Sequence, residues 1–102
     1  MILVEFSLFP VGKEEHLSPY VAHSLEIIEK SGLPYQLTAM GTLVEGEWDD
    51  VMNVVKKCYM RMQEETSRVY GSIKIDARKV GEGQLKKKVA SVEQKVGHKL
   101  ST

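Results

Sequence analysis

The feature that most restricts what this chain can fold into is an exchange of hydrophobic period that happens twice. Residues 2–9, "ILVEFSLF", alternate, with Val4, Phe6 and Leu8 on one parity and Leu3, Glu5, Ser7 and Phe9 on the other. That pattern describes a strand with one apolar and one mixed face. Pro10 and Gly12 end it, and "KEEHL" forms a polar loop. Ser18-Pro19 then reads as an N-cap followed by proline at the first helical position, where its missing N–H costs nothing. Val21, Ala22, Leu25 and Ile27 or Ile28 supply an inward stripe, and Gly32 beside Pro34 stops the helix.

Strand chemistry returns over residues 35–39 and 42–45, with the break at Met40-Gly41, where glycine admits the positive φ of a tight turn. Asp49 and Asp50 suit the first turn of a second helix, and Val51, Val54, Val55, Cys58 and Met62 carry its apolar face to about residue 65. In "RVYGSIKIDAR", Val69, Gly71, Ile73, Ile75 and Ala77 form a core parity against Tyr70, Ser72, Lys74 and Asp76. After the turn "VGEGQ", Leu85, Val89, Val92 and Val96 make a narrow stripe on a terminal amphipathic helix, which packs on its own domain or clasps a neighbour.

Strand, helix, strand, strand, helix, strand, plus one helix is the order of an α+β protein: a ferredoxin-like βαββαβ sandwich with an extra C-terminal helix. At 102 residues it fills one domain, residues 1–102. Both main helices cover one sheet face. The other face is left with some of Leu3, Glu5, Ser7, Phe9, Thr42, Val44, Tyr70, Ser72, Lys74 and Asp76, too polar for a core. Stacking on another subunit would cover it and enclose groups able to face a small ligand.

Several function classes lose support at once. Fourteen Lys and Arg balance fourteen Asp and Glu, so nothing favours capture of nucleic acid. The start of the chain has no basic leader and no membrane-length apolar run. A lone Cys58 at an apolar helix position reads as a buried free thiol, in keeping with a cytoplasmic setting. His16, His23 and His98 are scattered, with no CxxC or HxxxH spacing for a metal and no GxxxxGK loop for a phosphate. Ser7, Ser72 or Thr42 as nucleophile would lack a histidine at a pairing position, so a non-enzyme is favoured.

The polar sheet face is the stronger signal. Glu5, Ser72, Lys74 and Asp76 can fix a polar heterocycle, with Tyr70, Tyr35 or Trp48 to stack on it. The alternative is that Lys74 and Asp76 are solvated, or pair with Glu5 and Arg78. Trp48 also reads as an anchor at the helix start, and Arg68 as a surface residue or a partner for Glu45.

"FPVG", "LSPYVA", "YQLTAMGTLVEGEWDDVM" and "RVYGSIKID" together resemble the small thiamine-binding protein family, relatives of the YkoF-like domains, over nearly the whole chain. The resemblance implies a ferredoxin-like subunit, a homotetramer built as a dimer of dimers through sheet packing. It implies binding of thiamine or its hydroxymethylpyrimidine moiety without chemistry, as carrier or sensor, and no other cofactor. Its pattern points to Ser18, Thr42, Glu45, Arg68, Lys74 and Asp76, to which the polar face adds Ser7 and Ser72. The loop "KEEH" departs from the Ser/Thr-rich loop expected there. Two other classes remain open: a cofactor-free enzyme with Glu5 or Asp76 as acid or base in an inter-sheet cavity, and a ligand-free interaction module.

Overall fold

A computed structural model describes residues 1–12, 17–79 and 83–102. The polar loop expected at residues 13–16 and most of the turn expected at 80–84 lie outside the described residues. The elements follow as β1 (Ile2–Pro10), α1 (Ser18–Ser31), β2 (Tyr35–Thr38), β3 (Gly41–Gly46), α2 (Trp48–Gln63), β4 (Val69–Ala77) and α3 (Gln84–Val96). One antiparallel sheet has the order β2-β3-β1-β4, the ferredoxin-like arrangement with an added C-terminal helix.

Register assigns the faces, because residues directly opposite each other in an antiparallel pair share a face. Val4 lies opposite Val44 and Ile75, and Phe6 opposite Thr42 and Ile73. Ile2, Val4 and Phe6 join Val44, Ile28, Val51, Val54, Val55 and Cys58 in the buried core, so this is the face under α1 and α2. The other face carries four rows across the sheet: Leu3 with Glu45 and Asp76, Glu5 with Leu43 and Lys74, Ser7 with Ser72, and Phe9 with Tyr70. Thr42 and Val44 therefore belong to the helix-covered face, a correction to their placement among the residues of the open face.

The apolar period of α2 holds as expected, with Val51, Val54, Val55, Cys58 and Met62 all buried. In α1 the stripe is rotated: Ser24 and Ile28 are its buried members, while Val21 and Ala22 are exposed. The expected Ser18 cap does not form. Leu17 is the capping residue, without a side-chain hydrogen bond, and Ser18 is already helical. Gly32 ends α1 in the left-handed region at φ 75°. Gly41, by contrast, has no positive φ. Its requirement is steric, since a Cβ there would stand 3.1 Å from the Phe6 carbonyl oxygen of the neighbouring strand.

β4 keeps its expected parity but not its burial. As an edge strand with little helix cover, it leaves Ile73 and Ile75 43% and 40% exposed. α3 has no buried residue, and its Val92 and Val96 are half exposed. The radius of gyration, 14.9 Å, exceeds the roughly 13 Å of a compact chain this long.

Candidate functional site

Two regions hold the polar residues that the sequence singles out, on opposite faces of the sheet. On the open face, Glu45 is nearly inaccessible, and its Oε2 accepts a hydrogen bond from the Gln84 backbone N–H at 2.6 Å. Gln84 is the first residue of α3, so this carboxylate satisfies an orphan donor at the positive end of the helix dipole. In the same row, Asp76 ion-pairs with Lys88 on α3 and with Arg78 Nε at 3.5 Å. Glu45 and Asp76 thereby fasten α3 across one end of the open face.

Further along that face, Lys74 Nζ stands 3.5 Å from Glu5 Oε1, with the lysine side chain 82% exposed. Ser72 lies opposite Ser7. Beyond them Tyr70 tilts against Phe9 at a ring separation of 5.5 Å. Lys74 pairs with Glu5 across strands and Asp76 with Arg78 two residues along the chain, and Glu45 does not pair with Arg68. Glu45 sits at the Ile2 end of β1, while the Arg68 carbonyl accepts from the Val11 N–H at the opposite end. Arg68 and Ser18 are exposed and join neither cluster.

Thr42 lies on the helix side. With Phe6 and Leu8 of β1, Leu37, Thr38 and Met40 of the β2–β3 hairpin, and Leu17, Tyr20, Val21, Ser24 and Leu25 at the start of α1, it lines a cavity of ≈ 360 Å³. Ser7 and Phe9 also border it, although register turns their side chains to the open face. Thr38 Oγ1 donates to the Gly41 carbonyl at 2.8 Å and accepts from the Met40 N–H at 3.3 Å, so its hydroxyl holds the turn. No carboxylate, lysine, arginine or histidine is among the lining residues described.

Tyr20, Ser24 and Thr38 were missed in the sequence. Ser24 left a faint signal, since it occupies a helical position between Val21 and Ile28 where an apolar residue is the norm. Of the aromatic stacking candidates, Trp48 opens α2 half exposed. Tyr35 donates its hydroxyl to Glu29 Oε2 at 3.3 Å. The negative charge of Glu29, then that hydrogen bond, then slight desolvation push the phenol above its ordinary pKa. Cys58 is the expected buried thiol, and burial pushes its pKa up. Among the described residues no group of three His, Cys, Asp or Glu could hold a metal, and no helix is long and apolar enough to cross a membrane.

Comparison with known proteins meets this geometry from outside. A family model described as thiamine-binding protein matches residues 4–93. The chain is 37% identical over 99 residues to a UPF0045 protein of Methanothermobacter thermautotrophicus, covering 94% of this chain and 100% of that one. It is similar to the crystal structure of a hypothetical protein of Methanocaldococcus jannaschii, at TM-score 0.83 and 31% identity over 91% of this chain and 96% of the other. A Thermotoga maritima structure, assigned provisionally to thiamine biosynthesis or salvage, shares the fold at TM-score 0.78 and 23% identity, over 89% and 97% of the two chains.

Proposed function

The chain belongs to the thiamine-binding protein family, and we propose that it binds thiamine or its hydroxymethylpyrimidine moiety without chemistry, as a carrier or sensor. The observation that carries this reading is the cavity between α1 and the sheet, with its apolar walls and its Thr42, Ser24 and Tyr20 hydroxyls. Its ≈ 360 Å³ falls within the range of about 300 to 1,000 Å³ typical of small-molecule sites. An aminopyrimidine presents N–H donors and ring-nitrogen acceptors, and a hydroxyl can answer either. Phe6 supplies an aromatic face and Leu8 aliphatic contact for the ring. The enzyme alternative relies on Glu5 or Asp76 as acid or base on the open face, where Glu5 pairs with Lys74 and Asp76 with Arg78 and Lys88.

The proposal includes a homotetramer, a dimer of dimers, and a cytoplasmic setting. Support for self-association comes from the open sheet face, of which α3 fastens only one end, and from the unpaired edge of β4 with its half-exposed isoleucines. The cytoplasmic setting rests on the single free thiol.

Isothermal calorimetry of the apo protein with thiamine and with hydroxymethylpyrimidine tests the ligand. Binding is expected for at least one, weakened about fivefold or more in Thr42→Val through the loss of one hydrogen bond. Absence of heat at millimolar ligand would remove the reading. Light scattering tests the assembly, and a monomer at all concentrations would overturn that part alone.

A further inference from the structure

Met40 is the residue of the cavity lining whose position its own packing does not explain. We propose that Met40 is a binding residue that covers the ligand: its side chain stands in solvent in the free protein and turns over the bound ring, closing the mouth of the cavity. This rests on the ligand reading above and adds to it a residue that sets affinity.

Three observations carry the inference. First, Met40 lines the cavity beside Leu37 and Thr42, yet it is 85% exposed, the most exposed large hydrophobic among the described residues. A lone exposed apolar side chain is ordinary, but this one stands at the rim of an apolar cavity. Second, the exposure does not come from a slack chain. The Met40 N–H donates to Thr38 Oγ1 at 3.3 Å, and the same hydroxyl donates to the Gly41 carbonyl at 2.8 Å. Gly41 in turn stands close against β1, where a Cβ would come to 3.1 Å from the Phe6 carbonyl oxygen. The backbone of Met40 is therefore pinned at the rim, and rotation about its side-chain bonds is the motion left to it, a fast one. Third, the side chain suits the task. A thioether on an unbranched chain is polarizable and packs favourably on aromatic rings. Turning onto a ring held against Phe6 would take apolar surface of both partners out of water. The β2–β3 hairpin lies on the side of the sheet away from β4, so association through the β4 edge leaves Met40 in solvent.

Peroxide footprinting of the full chain tests the proposal. Hydrogen peroxide transfers one oxygen atom to a methionine thioether and leaves as water, and peptide mass spectrometry assigns the resulting sulfoxide to its residue. Met60, 51% exposed on α2, and Met62, buried on the same helix, are the internal references. In the free protein Met40 is expected to oxidise at least as fast as Met60 and far faster than Met62. With saturating thiamine or hydroxymethylpyrimidine, whichever binds by calorimetry, Met40 oxidation is expected to slow about fivefold or more while Met60 keeps its rate, because reactivity follows exposure. Met40→Ala is expected to weaken binding about fivefold or more at an unchanged melting temperature, and Met40→Leu to restore most of the affinity. An unaltered Met40 rate under a ligand that calorimetry shows bound, or a Met40→Ala protein that binds like the original, overturns the covering role and leaves the ligand reading intact. A Met40 as slow as Met62 in the free protein overturns it as well. Silence from both compounds in calorimetry removes the ligand reading itself, and the proposal with it.

Discussion

Replacing Glu45 should release α3 while leaving the sheet intact. α3 buries none of its residues, and the Lys88–Asp76 pair that also holds it is 41% and 36% exposed on its two sides. An ion pair of that exposure contributes at most about 1 kcal/mol. The bond from the Gln84 N–H to the Glu45 carboxylate is short, at 2.6 Å, and its carboxylate is withdrawn from water. A hydrogen bond to a charged group contributes about 1.5 to 3 kcal/mol. Glu45→Leu, which keeps most of the volume and removes the acceptor, should shift the docking equilibrium of α3 by that amount, about 10- to 150-fold. Glu45→Gln keeps a neutral acceptor and should cost about 1 kcal/mol, roughly fivefold. Hydrogen exchange resolved by residue is the assay. Amides in the body of α3 should lose protection in the order Glu, Gln, Leu, while those of β1 and β3 keep theirs. Equal loss of protection in β1 and β3, or an α3 indifferent to both substitutions, would refute the reasoning.

Three further outcomes follow from single positions. Gly71→Ala would drive a Cβ into the Ser7 carbonyl oxygen and to 2.9 Å from the Leu8 Cα, so the β1–β4 pairing must shift. A loss of about 1 to 3 kcal/mol is expected, seen as a melting temperature lower by at least about 4 °C; an unchanged melt would contradict the close approach. Burial raises the Cys58 pKa above its ordinary 9.0, so its contribution to stability is complete below that value and is lost as pH rises through the higher folded value. Urea titrations from pH 8 upward should show a decline that Cys58→Ala reduces. Lys74→Ala should change monomer stability by no more than about 1 kcal/mol, as befits an exposed pair, and a larger, concentration-dependent loss would mean that this face is covered by another copy.

What the sequence disclosed and what it withheld divide along a physical line. Local period is written in neighbouring residues, so the order of elements, the buried stripe of α2 and the two parities of β1 could all be read directly. Lateral position in the sheet is not written there. Ile73 and Ile75 look like core residues in sequence, and become half exposed only because β4 takes the edge and the helices lie over β1 and β3. Backbone partners are equally silent: nothing near Glu45 announces that its carboxylate will meet the N–H of a residue 39 positions away.

The stretch "GTLVEG" shows how both kinds of information meet in six residues. Thr42 and Glu45 are three positions apart on one strand, so they must point to opposite faces, and pairing of Thr42 with Phe6 decides which is which. One register step the other way would place Thr42 on the open face and Glu45 among the core aliphatics, an unpaired carboxylate under α1 and α2. Burial of Val44 at the same parity as Thr42 forbids that step, since it would expose a core valine and bury a charge together. The same strand therefore serves two tasks that cannot be exchanged. Its even residue lends a hydroxyl to the cavity, and its odd residue fastens the C-terminal helix. Thr42→Val should affect ligand and spare α3, whereas Glu45→Leu should free α3 and leave the Thr42 hydroxyl in place. If the two variants produced the same defect, the division of the strand between its faces would be wrong.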